Sequence, residues 1–239
     1  MKYFNYIAVL ILIYFRLLSL SFSENLNSCE QLVGLSVKME DINEKLSIPA
    51  CLKAIKDDPD NIEYWHILGL SYSKAKEYKK ALNWTQKAAD KGFMRSQYNL
   101  GVIYFEGEGV EQDYKEAMKW FKLAADQGYV YAQYNLGYAY YIGEGVQQDY
   151  KQALKWYKLA AEQEDADAQI NLGLMYYDGE GVKQDYKEAM KWFKLAAEQE
   201  NANAQNSIGF MHYNGEGVEQ DHKKAMKWFK LAADQENVY

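Results

Sequence analysis

Between residues 96 and 239 the apolar and small positions of this chain return with a step of 36 residues. Leu100-Gly101 comes back as Leu136-Gly137, Leu172-Gly173 and Ile208-Gly209. Gly109 comes back as Gly145, Gly181 and Gly217, and Trp120 as Trp156, Trp192 and Trp228. The stretch QDYKEAMKWFKLAA stands unchanged at 112–125 and 184–197. A fixed step of this length marks a chain built of tandem supersecondary units.

Within each unit the pattern predicts two helices. The first, such as AQYNLGYAYY at 132–141, is compact and aromatic and stops at Gly143 and Gly145. Glycine just past a helix end takes the left-handed conformation that closes the last turn. After a short loop (GEGVQQ), the second helix opens at Asp113, Asp149, Asp185 or Asp221, where a carboxylate accepts from free backbone N–H groups. Glu116, Gln152 and Glu188 stand three residues on and predict a capping box; Lys224 breaks it in the fourth copy and predicts a weaker start there. Ala117, Phe121 and Ala124 then recur at i, i+4 and i+7, widened by Trp120, as one buried stripe of 3.6-residue period. A single hairpin cannot bury such a stripe, whereas stacked copies can.

The pattern A-x-x-x-L-G-x-x-Y-x-x-G-x-G-V-x-x-D-x-x-x-A-x-x-W-x-x-x-A-A, read at Ala132, Leu136, Gly137, Tyr140, Gly143, Gly145, Val146, Asp149, Ala153, Trp156, Ala160 and Ala161, resembles the Sel1-like repeat. Its departures are Ser96 in the first copy and Ile208 and His212 in the last. Upstream, Ala54, Pro59, Trp65, Leu68, Gly69, Tyr72, Ala81 and Ala88 resemble a tetratricopeptide repeat, with a shorter step of 32 from Gly69 to Gly101 because the Gly107–Val110 type of loop is missing. The resemblance implies an all-α fold, a right-handed α/α superhelical solenoid of helix-turn-helix repeats. The expected organisation is a signal peptide at 1–23, a capping helical hairpin at 24–61 and a tetratricopeptide-like unit at 62–95. Sel1-like units then follow at 96–131, 132–167, 168–203 and 204–239.

For function, the resemblance implies an adaptor that holds a peptide or a partner protein on the first helices, which line the concave groove in such superhelices. The inward positions in that register are Tyr98, Asn99, Val102 and Phe105, then Tyr134, Asn135, Tyr138 and Tyr141. They continue with Ile170, Asn171, Leu174 and Tyr177, then Asn206, Ser207, Phe210 and Tyr213. Aromatic side chains give large contact area for few rotatable bonds, and Asn amides pair with peptide backbone. Two bland readings stand beside this one: the aromatics are shared core, and the asparagines fix helix register. Some cysteine-rich exported relatives look like β-lactam-binding or β-lactam-hydrolysing proteins with a cysteine pair in every repeat. The Sel1-like units here have no cysteine, which weakens that alternative.

Composition narrows the choice further. A net charge of −7 argues against nucleic acid as partner, since that affinity comes from Lys and Arg displacing counterions. Lysines do recur on the second helices, at Lys115, Lys119 and Lys122 and their counterparts, as a basic stripe. It reads either as solvated surface or as a docking face for an anionic membrane or cell-wall polymer. His66, His212 and His222 form no metal-ligand spacing, and no nucleophile or phosphate-loop motif is present, so neither enzyme activity, cofactor nor metal is expected.

Lys2, the apolar run Tyr6–Phe15 and the small residues at Ser21 and Ser23 read as an export signal; uncleaved anchoring in the membrane is the competing reading. The destination is then the periplasm, the secretory-pathway lumen or the exterior. Cys29 and Cys51 form an even pair, either a disulfide or two thiols in an apolar contact. At the far end Tyr239 closes a repeat, so the apolar stripe around Trp228 and Ala232 is expected to serve self-association or a docking partner.

Overall fold

The computed structural model describes residues 29–32 and 42–236, so the signal-peptide reading at 1–23 lies outside the described residues. Among the described residues every regular element is a helix. These are α1 (Cys29–Leu32), α2 (Glu44–Asp57), α3 (Ile62–Lys74), α4 (Tyr78–Asp90), α5 (Met94–Glu106), α6 (Tyr114–Asp126), α7 (Val130–Ile142), α8 (Tyr150–Ala161), α9 (Ala166–Asp178), α10 (Tyr186–Glu198), α11 (Ala202–Asn214) and α12 (His222–Glu236). They fall into two compact units, one ending at Gln112 and one beginning at Asp113.

In the first unit α2 packs on α3, α3 on α4 and α4 on α5. The core gathers Cys29, Leu32, Cys51, Ala54, Ile67, Leu68, Tyr72 and Ala81. The sulfurs of Cys29 and Cys51 are bonded and tie α1 to α2. Two buried polar pairs interrupt this core: Ser47 donates to Ser71 at 2.7 Å, and His66 Nδ1 lies 2.9 Å from Ser96 Oγ. Pro49 lies inside α2, in its second turn. Pro49 and Lys45 are both exposed, so the carbonyl that loses its helical donor faces water.

In the second unit the hairpins α7–α8, α9–α10 and α11–α12 follow α6, and each packs against the next. The cap residues act as the sequence predicts. Asp113, Asp149, Asp185 and Asp221 accept from backbone N–H groups of the turns they open. First helices end on left-handed Gly143, Gly179 and Gly215. The other half of the capping box differs. The carboxylates of Glu116 and Glu188 take Lys119 and Lys191 one turn on, and Lys224 keeps its own cap and pairs with Asp221.

Two glycine positions explain how the hairpins close and stack. A Cβ at Gly173 would meet the Phe193 ring at 2.6 Å, and one at Gly137 would meet Tyr157 at 2.6 Å. The first helix therefore lies directly on an aromatic ring of the second. Gly181, at φ +69°, sits so close to the preceding repeat that a Cβ would strike the Tyr150 carbonyl at 2.6 Å.

A buried glutamine ladder adds polar register. Gln133 and Gln169 donate to the carbonyls of Ala125 and Ala161, each at 3.2 Å. They accept in turn from Gln163 at 2.7 Å and Gln199 at 3.0 Å. Each amide thus caps one second helix and receives a donor from the next.

Candidate functional site

The candidate surface is the face of the first helices that points away from the second-helix layer. In the second unit it forms a groove of about 210 Å³ walled by Leu174 and Tyr177 of α9 and by Ser207, Phe210 and Asn214 of α11. Phe193 of α10 forms its floor. Phe210 is 57% exposed and Leu174 38%, so apolar surface faces solvent across the groove. Phe210 is held edge-on to Phe229 at 5.0 Å, which fixes its wall.

The same construction recurs in the first unit. There Leu70 and Ser73 of α3 face Asn99 and Val102 of α5, with Gly69 and Thr85 beneath, around a cleft of about 60 Å³. Tyr98 and Phe105 of α5 are half-buried.

Several of the sequence-predicted residues do structural work at the same time. Tyr134 is half-buried, leans on Tyr157 at 5.8 Å and receives the Asn171 amide on its hydroxyl. Burial pushes the Tyr134 phenol up, with Asp167 and Asp165 acting in the same direction. Tyr141 packs on Tyr150 and donates to Glu180 of the following loop. Tyr177 packs on Tyr186 and donates to Glu216 at 2.6 Å. Both phenols are pushed up to about 12, first by those hydrogen bonds and then by burial. Asn135 is half-buried, Tyr138 is 44% exposed, and Tyr213 is 53% exposed and meets the His222 ring at a tilt, 4.9 Å between centroids.

Ile170, read from sequence as an inward position, is instead buried in the core with Phe193 and Ile208, because its side chain points between helices. Phe193 and Asn214 were not singled out from sequence as groove residues. The signal for Phe193 was its place opposite Gly173, which leaves one edge of a core ring open to the groove.

On the second helices the lysines are exposed, and several of them pair along their own helix. Lys122 holds Asp126, and Lys158 lies 3.9 Å from Glu162. Among the described residues no group of three or more His, Cys, Asp or Glu side chains is placed to hold a metal ion. No helix among them is long and apolar enough to cross a membrane.

Stacked helical hairpins closed by a Leu-Gly pair and a Gly-Glu-Gly loop define a class of helical-repeat proteins. The Sel1 repeat profile matches residues 95–129, 130–165, 166–201 and 202–237, and the chain belongs to the Sel1 repeat family. A tetratricopeptide repeat profile matches residues 50–83, from within α2 into α4.

Among solved structures, the chain is similar to c5321, described as a protective antigen of uropathogenic Escherichia coli with an SLR fold. The two share 35% identity at a TM-score of 0.75, over 81% of this chain and 41% of that one. The chain therefore spans less than half the length of that relative. It is also similar to a Sel1 repeat protein from Oxalobacter formigenes, with 36% identity and a TM-score of 0.69, over 77% of this chain and 78% of that one. YrrB, described as a TPR protein with an unusual peptide-binding site, shares the fold at 24% identity and a TM-score of 0.52, over 80% of this chain and 94% of that one. At a general level a repeat scaffold of this family fits protein–protein interaction.

Proposed function

We propose that this chain is an exported binding scaffold that holds a peptide segment of a partner protein along the first-helix face of its Sel1 repeats. The observation that carries the reading is the groove between α9 and α11, where Leu174 and Phe210 keep apolar surface in solvent over the Phe193 floor. Exposed anchors beside half-buried aromatic walls suit a segment laid across successive first helices. Export is supported by the apolar run behind Lys2 and by the paired cysteines, which fit an oxidising compartment. The reading calls on no catalytic group.

The test is selection of ligands from a random peptide display library on the purified chain, followed by binding to Leu174→Ser and Phe210→Ser. Both positions are exposed enough that helicity and Tm stay within the wild-type range. Loss of about tenfold or more in affinity for either variant is the expected result. Ligands that bind both variants as tightly as wild type would remove the groove from the account.

A further inference from the structure

The two helix layers of the second unit differ in charge as well as in shape. Helices α7, α9 and α11 contain no Lys or Arg, while α6, α8, α10 and α12 carry Lys115, Lys151, Lys187, Lys223 and their successors at every turn. Across the first-helix stretches and the loops that follow them the acids, besides the caps Asp149, Asp185 and Asp221, are Glu144, Asp167, Asp178, Glu180, Glu216 and Glu219, against the single Lys or Arg, Lys183.

These acids sit beside the groove aromatics. Glu180 receives the Tyr141 hydroxyl and Glu216 the Tyr177 hydroxyl, and Asn214, a groove wall, donates to Glu216 at 3.2 Å. Asp167 acts on Tyr134, and Asp178 acts on both Tyr141 and Tyr177. Asp167 and Asp178 are exposed. Apolar anchors and uncompensated carboxylates therefore share one face.

We infer that the segment held in this groove is cationic, with an apolar anchor seated between Leu174 and Phe210 and flanking Lys or Arg side chains set against Asp167, Asp178 and Glu216. The inference rests on the groove reading above and names the chemistry of its occupant. An acidic segment would meet like charge from Asp167 and Asp178 along the α9 wall and from Glu216 just past the end of the α11 wall, and this discriminates among partners more strongly than it adds affinity. A neutral segment would use the anchors alone. Guanidinium or ammonium groups also gain from the tyrosine faces that line the same path.

The test uses the full chain and the ligands selected from the random display library. Those that lose binding with Phe210→Ser are sequenced, and one is resynthesised with its basic residues changed to Gln and to Glu. The expected result is enrichment of Lys and Arg in the groove-dependent set. The basic form should bind about tenfold tighter than the Glu form at low salt, the gap closing towards unity near 1 M salt, where screening acts within about 3 Å. The pair Asp167→Asn with Asp178→Asn, both exposed, should narrow that gap without weakening the Gln form. Groove-dependent ligands with no basic enrichment and no salt dependence would overturn the charge inference and leave the groove reading standing. A library that yields no groove-dependent ligand would overturn both.

Discussion

In the first unit Gly69 of α3 faces Thr85 of α4, while in the second Gly137, Gly173 and Gly209 face the rings of Tyr157, Phe193 and Phe229. The backbone solution is the same in both: glycine lets one helix lie against a side chain of the other. What differs is the filling. The first unit uses small and polar pairs, with Ser47 on Ser71 and His66 on Ser96. The second uses aromatic rings, while the buried glutamine that donates to the end of the preceding second helix is common to both, as Gln97 on Ala89 in the first and Gln169 on Ala161 in the second. The groove surface follows this difference. Val102 and Ser73 flank a cleft of about 60 Å³, whereas Phe210 and Tyr177 raise walls around about 210 Å³. Wall height on the first helices therefore sets the size of the candidate site, while the glycine contact is common to both units.

The largest effect that separates the units should come from their floor residues. Phe193→Ala empties a buried ring site and is expected to cost about 3–5 kcal/mol, while Thr85→Ala is expected to cost about 1 kcal/mol; chemical denaturation of each variant checks the contrast. Next comes Gly181→Ala. It places a side chain at φ +69° against the Tyr150 carbonyl and is expected to cost about 3 kcal/mol, from left-handed strain and backbone collision together.

Gln169→Ala takes one of two donors from the Ala161 carbonyl, which keeps the Glu164 N–H, and removes the acceptor of the Gln199 amide, for about 1–2 kcal/mol by the same measurement. Equal losses for Phe193→Ala and Thr85→Ala would erase the distinction between the two kinds of filling.

Acid should separate the units more gently. Burial, with Arg95 adding to it, pushes His66 down to about 3, so the folded first unit keeps it neutral. Below pH 6.5 the unfolded chain takes up a proton that the folded chain refuses. Stability is therefore lost as pH falls from about 6.5 towards 3, by up to about 1.4 kcal/mol per pH unit. Asp165 and Asp178 of the second unit run the other way. Partial desolvation raises both carboxyls above their ordinary value, so the folded form takes up a proton first and gains stability as pH falls towards the ordinary carboxylate range. The Asp221 cap, lowered by its bond from the Lys224 N–H, opposes them. Segment-resolved hydrogen exchange at pH 7 and pH 5 should show α3 losing protection relative to α9, and His66→Gln should remove that difference.

Much of this architecture was legible in the chain, because its signals are local. The helix ends were written in Gly143, Gly179 and Gly215, the starts in Asp149 and Asp185, and the buried stripe in Ala153, Tyr157 and Ala160. The glutamine ladder was not, since Gln133 finds its partners 8 and 30 residues away and nothing in a helix pattern marks a buried amide. The candidate groove was legible as a set of positions and less so as a set of roles. Tyr141 and Tyr177 lie on the expected face, yet their hydroxyls are committed to Glu180 and Glu216 of the following loops. Periodicity keeps such a residue in step and does not distinguish a clamp between repeats from a contact for a ligand.

The most direct measurement of the central claim is site-specific photocrosslinking with a display-selected peptide. One photoreactive residue would replace Phe210 on the first-helix face and another would replace Leu123, which is 46% exposed on a second helix. The account predicts a peptide adduct at position 210, competed away by unlabelled peptide, and none at 123. Adducts at 123 with none at 210 would place binding on the lysine-bearing layer and contradict it.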